Sequence, residues 1–156
     1  VTSSLQNELR KRAPFDSVEQ EATLALMRTS DLLENRFARL LRESGLTLSQ
    51  YNVLRILRGE GKAMPCLEVA DRMIQVAPAI TRVVDQLIGL ELIVKTQSQA
   101  DRRVFYIELT AAAKRLLKKL DGPILNLHAN LLDGVPKNQL GTLIEILERV
   151  RNSVKN

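Results

Sequence analysis

At 156 residues, 45% hydrophobic and 26% charged, the chain has the size and composition of one folded domain and is too apolar for disorder. No apolar run approaches the roughly 18 residues that span a bilayer, so no membrane partner is expected. The net charge of +5 admits a polyanionic partner without requiring one, because residues 50–110 hold 8 Lys/Arg against 7 Asp/Glu.

The first 15 residues read as an arm ending at Pro14, whose charged run precedes no apolar segment of the signal-peptide kind. Asp16 or Ser17 can cap the first helix, with Glu19 or Gln20 completing a capping box. No Pro or Gly interrupts from there to Glu43, and Leu26, Leu33, Phe37, Leu40 and Leu41 recur at helical spacing. Gly45 is the C-terminal stop. About 27 residues at 1.5 Å each make roughly 40 Å of helix. One small core cannot cover that length, so part of it is expected to pack against another chain.

"TLSQ" (47–50) is a second capping box and starts a helix through Tyr51, Val53, Leu54, Ile56 and Leu57 that ends at Gly59 and Gly61. Pro65 suits a first helical position, and Leu67, Val69, Ala70 and Met73 form a short third helix. After a break at 74–76, Pro78 fits the first turn of a fourth helix spanning about 77–90. Its apolar face is Ile80, Val83, Val84, Leu87 and Ile88, which leaves Thr81, Arg82, Asp85 and Gln86 facing outward. Two short helices joined by three or four residues fit a helix-turn-helix, although an ordinary helical hairpin in a core shows the same pattern.

"LIVKTQ" (92–97) and "RVFYIEL" (103–109) alternate as strands around the polar turn "SQADR" (98–102), which makes a β-hairpin directly after the helix pair. Helix, helix, hairpin is the order of a winged helix. Strand alternation allows Asp101 and Arg103 to pair while Arg102 projects the other way. A braced arginine at a hairpin tip suits a narrow, electronegative minor groove. A solvated turn is the plainer alternative. Thr110 can cap "AAAKRLLKKL", Gly122 and Pro123 predict a kink or two helices, and Pro136 starts a last helix with the stripe Leu140, Leu143, Ile144, Leu147 and Val150. The terminal helices offer more apolar face than a winged helix can bury, and a dimer accounts for the surplus. The expected fold is therefore mainly α. It has a winged helix-turn-helix at 46–110, and the helices of 1–45 and 111–156 form a dimerisation region.

"LTLSQYNVLRIL" (46–57), "LEVADRM" (67–73), "PAITRVVDQL" (78–87) and "DRRVFYIELT" (101–110) together resemble the MarR family of bacterial transcription regulators, in that family's order and spacing. The resemblance covers about residues 17–153. It implies a homodimer on double-stranded DNA, a repressor at a pseudo-palindromic operator, released by a small, often phenolic or lipophilic effector. Carried over by position, Pro78, Ala79, Thr81 and Arg82 are the recognition-helix surface for the major groove. Asp101, Arg102 and Arg103 are the wing for the minor groove. The chain departs from the commoner pattern at Ile74, at Val76 and Ala77, at Lys95, and at Glu91, where many members have a Gly that ends the helix.

Catalysis is not expected, because one His and one Cys assemble no nucleophile–base pair and no phosphate loop appears. His128, without neighbouring ligands, reads as core or interface packing rather than a metal site, and no cofactor is implied. The lone Cys66 can make no internal disulfide, so a reducing cytoplasm is the simplest reading, and the residue reads as buried and structural, with redox sensing as the alternative. The alternative to a DNA-binding regulator is a winged-helix protein-interaction or dimerisation module without DNA function, which the near-neutral charge of 50–110 favours.

Overall fold

The computed structural model describes residues 4–75 and 79–155. In chain order these residues form α1 (Ser4–Glu8), α2 (Val18–Arg42), α3 (Leu48–Glu60), β1 (Met64–Pro65), α4 (Cys66–Asp71), α5 (Ile80–Gly89), β2 (Ile93–Gln97), β3 (Phe105–Leu109), α6 (Ala111–Leu131) and α7 (Lys137–Lys155). The chain divides into two units, 1–119 and 120–156, and α6 runs through the boundary.

In the first unit, the helix ends follow their local chemistry. Ser17 caps α2 by accepting from the Gln20 amide, and Gln20 returns a bond to the amide of Asp16 rather than of Ser17. Gly45, at φ +72, closes α2 with its amide on Arg42 O while the Leu46 amide reaches Leu41 O. That pair of bonds is the Schellman pattern, which needs a left-handed residue where Gly45 stands. Thr47 and Gln50 form the full reciprocal capping box at the start of α3, and Gly61 ends that helix in the left-handed region. The arm before Pro14 contains the one-turn helix α1, which the sequence reading did not anticipate.

The sheet has three strands, in the order β1-β3-β2, all antiparallel. The hairpin β2–β3 stands where the sequence placed it. The third strand, β1, escaped notice because two residues carry no periodicity: Met64 pairs with Ile107 and Pro65 with Tyr106. Pro65 thereby ends a strand and precedes α4 instead of opening it as a helical residue. The core of this unit is aliphatic, with Leu41, Val53, Leu54, Val69, Val84, Leu87, Ile107, Ala113 and Leu117 fully enclosed. Burying one such side chain stabilises by about 1.5–3 kcal/mol, and Val84 and Leu87 hold α5 in place.

α6 stays one helix through Pro123 rather than breaking in two. The proline lacks the N–H that would reach the Lys119 carbonyl one turn back. In the second unit Ile124 and Leu127 are buried, whereas α7 buries none of its residues. His128 is exposed, so a place in the core is excluded for it.

Candidate nucleic-acid interface

α4 and α5 form the helix pair. Ala79 caps α5 at φ −138, so it lies before the helix and not within it, and Pro78 lies outside the described residues. Along α5 the burial follows the helical period. Val84 and Leu87 are enclosed, while Thr81, Arg82, Asp85 and Gln86 are exposed, as are Ala79 and Ile88. Arg72, just past α4, bonds Glu60 at 2.8 Å and also pairs with Glu68. The Arg72 bond and charge hold the Glu60 carboxyl below its ordinary range. The turn between the helices is thereby tied to the end of α3.

The far end of α5 closes on Glu91, at φ +59. The Glu91 amide donates to Ile88 O at 2.9 Å and the Leu92 amide to Leu87 O at 3.0 Å. The Schellman geometry that a Gly usually supplies is therefore kept with a glutamate in the left-handed region. Thr110 secures it: its hydroxyl donates to Glu91 O at 2.9 Å, its amide donates to Leu92 O at 3.0 Å, and its Oγ1 accepts from the Ala113 amide at 3.2 Å. One side chain thus caps α6 and holds the end of α5.

At the wing tip, the Asp101 carboxylate accepts from the Arg103 backbone amide at 3.0 Å, from its Nε at 3.2 Å and from its Nη2 at 3.2 Å. The pairing anticipated from strand alternation exists, but its cause is a turn. Val104 N–H returns to Asp101 O at 3.0 Å, and Asp101 Oδ1 bonds the backbone two residues on. Ser98 Oγ accepts from the Asp101 amide, and Gln97 Nε2 donates to Arg102 O at 2.6 Å. The Arg103 side chain remains 89% exposed, so the guanidinium is aimed without being buried. The Arg103 bonds pull the Asp101 carboxyl below its ordinary range. Arg102 is exposed beside it.

From sequence, Lys95 stands out only as a departure from the family's pattern. The structure sets its ammonium 4.4 Å from the centre of the Phe105 ring, a cation–π contact across the hairpin. A cavity of about 370 Å³ opens between the start of α4, the start of α5 and the base of the wing, with Cys66, Thr81, Lys95 and Arg103 in its wall. Cys66 is half-buried, and burial raises its thiol above the ordinary range; Asp85 adds to the rise and Lys95 opposes it. The thiol is therefore protonated near neutrality and a poor nucleophile. Among the described residues no group of three His, Cys, Asp or Glu side chains converges to hold a metal, and no helix is long and apolar enough to cross a membrane.

An exposed helical edge beside a hairpin tipped with a braced arginine is the arrangement of a winged helix that meets a duplex. The family model described as MarR matches residues 46–105, the stretch that holds both features. The chain is 37% identical to the MarR transcription factor from Planctomyces limnophilus, over 86% of this chain and 98% of that one, with a TM-score of 0.68. The chain belongs to the MarR family. It is a DNA-binding transcriptional regulator. It is also 29% identical over 110 residues to the HTH-type regulator YpoP of Bacillus subtilis, covering 67% of this chain and 74% of YpoP. Bordetella bronchiseptica BpsR, whose DNA binding is regulated by 6-hydroxynicotinic acid, shares the MarR fold at a TM-score of 0.76, with 20% identity over 84% of this chain and 98% of its own.

Proposed function

We propose that the protein is a homodimeric repressor in the cytoplasm that binds a pseudo-palindromic operator through residues 46–110. In this reading Pro78, Ala79, Thr81 and Arg82 meet the major groove. Arg102 and Arg103 enter the flanking minor groove, with Asp101 as the brace. The braced, solvent-facing Arg103 carries the reading: a guanidinium held by two bonds to a carboxylate that the Arg103 amide also binds loses little freedom when it enters a narrow groove.

The dimer is supported by apolar side chains left in water. Val18, Met27 and Leu32 stand exposed on α2, and Leu125, Ile144, Ile146 and Val154 on α6 and α7. A 19-residue helix that fully buries no residue, as α7 does, with only Leu140, Leu143 and Leu147 half-buried, has little tertiary packing to hold it and needs a partner surface. Residues 1–45 and 111–156 are accordingly proposed as the dimerisation region. Release by a small phenolic or lipophilic acid is proposed by analogy with BpsR and its hydroxylated nicotinic acid.

Selection of duplexes from a random pool tests the operator. Enrichment of an inverted repeat with half-sites about 10 bp apart is expected, as is loss of part of that binding when a phenolic acid is present. Arg103→Ala should weaken binding to the selected duplex by about 1–3 kcal/mol with the fold and the dimer intact. Unchanged binding removes the wing from the interface, and a monomer at micromolar concentration in sedimentation equilibrium removes the twofold reading.

A further inference from the structure

Gln50 lies on α3 with 6% of its surface exposed, and its amide is held at both ends. Its Oε1 accepts from the Thr47 backbone amide at 3.0 Å, and its Nε2 donates to Oε1 of Gln86, on the exposed edge of α5, at 3.1 Å. Chemistry fixes these orientations. A backbone N–H can only donate, so Gln50 must meet Thr47 with its oxygen and therefore meet Gln86 with its nitrogen. An amide nitrogen has only donors to offer, so Gln86 must answer with its oxygen. The Gln86 NH2 group is then turned away from Gln50, and no partner for it exists among the described residues. A sequence of forced choices starts at a backbone amide in the α3 cap and ends on the surface of α5.

We infer that Gln50 is a positioning residue that locks Gln86 as a hydrogen-bond donor toward DNA, and that Gln86 is a specificity-determining contact. This inference rests on α5 being the element that meets the duplex. Gln86 follows Arg82 by one helical turn, so the two share a face and line up as successive donors. A glutamine that reads adenine uses its oxygen and its nitrogen together. With its oxygen engaged by Gln50, Gln86 instead matches an acceptor atom: N7 or O6 of guanine, O4 of thymine, or a phosphate oxygen.

The test uses the full chain and a duplex selected by the wild-type protein. Gln86→Met assigns the Gln86 side-chain amide resonances and removes the donor without adding charge. It should weaken binding about tenfold at a temperature where the variant is fully folded, and it should lower the thermal midpoint by a few degrees because the nearly buried Gln50 Nε2 loses its acceptor. In the wild-type complex the Gln86 NH2 protons should shift and exchange more slowly than in the free protein. Gln50→Glu completes the same capping box but offers Gln86 only acceptors. Gln86 must then reverse, and its NH2 protons should be protected in the free protein and unchanged on adding DNA. If Gln86→Met binds like the wild type, the contact is overturned. If Gln50→Glu leaves the wild-type pattern of shifts in place, the positioning is overturned. Repeating the selection with Gln86→Met separates a base from a phosphate: relaxed preference at one position per half-site supports a base-edge contact, and a uniform loss indicates a phosphate and overturns the specificity role. A wild-type protein that selects no duplex sinks the proposed operator instead, which leaves the two failures distinct.

Discussion

The wing tip and the polar edge of α5 both face outward, but they are held by different means. Every bond that shapes the tip joins residues within six positions of one another: Ser98 with Asp101 and Val104, Gln97 with Arg102, Asp101 with Arg103 and Val104. The seat of α5 is assembled from far along the chain. Gln50 reaches Gln86 across 36 positions, Thr110 reaches Glu91 across 19, and Leu87 and Val84 are buried in the shared core. A locally built tip keeps its shape as long as its turn survives. A remotely built seat is only as firm as the tertiary structure. Changes at the tip should therefore alter DNA binding and spare stability, while changes at the seat should alter both.

The largest effect expected is at the seat. Leu87 is fully enclosed, and Leu87→Ala should cost about 2–5 kcal/mol of stability in urea unfolding. A loss below 1 kcal/mol would mean that α5 is not anchored by its apolar face. Thr110→Val comes next. It deletes the hydroxyl that caps α6 and bonds Glu91 O, which is worth about 1–2 kcal/mol. Thr110→Ser should recover most of that loss. If Val keeps the wild-type stability and Ser loses it, the methyl group and not the hydroxyl matters, and the tie between the end of α5 and α6 is dismissed.

Glu91→Gly runs in the opposite direction. A residue other than Gly at φ +59 costs roughly 1–2 kcal/mol, of which about half returns as the extra unfolded-state freedom of Gly. Glu91 also places a negative charge at the negative end of α5. The substitution should raise stability by about 0.5–1 kcal/mol, a few degrees in thermal midpoint. The Thr110 bond is to the Glu91 backbone oxygen and survives the change. A lower midpoint would show that the glutamate side chain contributes something beyond its backbone.

The same division between local and remote construction explains what the sequence revealed. The caps at Ser17 and Thr47, the stops at Gly45 and Gly61, the hairpin and the Asp101–Arg103 pair are all short-range, and each is readable from a few letters. What escaped depends on partners that the chain brings in from elsewhere. β1 exists only because Ile107 and Tyr106 lie beside it. Glu91 adopts a glycine conformation because Leu87, Ile88 and Thr110 bind its surroundings. Gln86 carries a defined orientation because of a residue in another helix. The Pro123 signal was real but weaker than its context, since the helix on either side continues and carries the proline within it.

The smallest effect belongs to the tip and tests whether its brace is as local as it looks. The Asp101 carboxyl is lowered first by the Arg103 side chain and then by the Arg103 amide, with a slight opposing push from burial. A lowered folded-state value means that the charged, bonded form is favoured. The brace is therefore complete above the unfolded-state value and is lost as pH falls through the lowered one. An NMR titration of Asp101 should give a midpoint below that of an ordinary aspartate. In Arg103→Ala the midpoint should rise only part of the way back, because the backbone amide of residue 103 remains. Because the pair is open to solvent, salt should weaken the side-chain part and leave the amide part. A full return to the ordinary value would show that the arginine alone orders the carboxylate. The tip would then depend on its cation, and losing Arg103 would cost the turn as well as the contact.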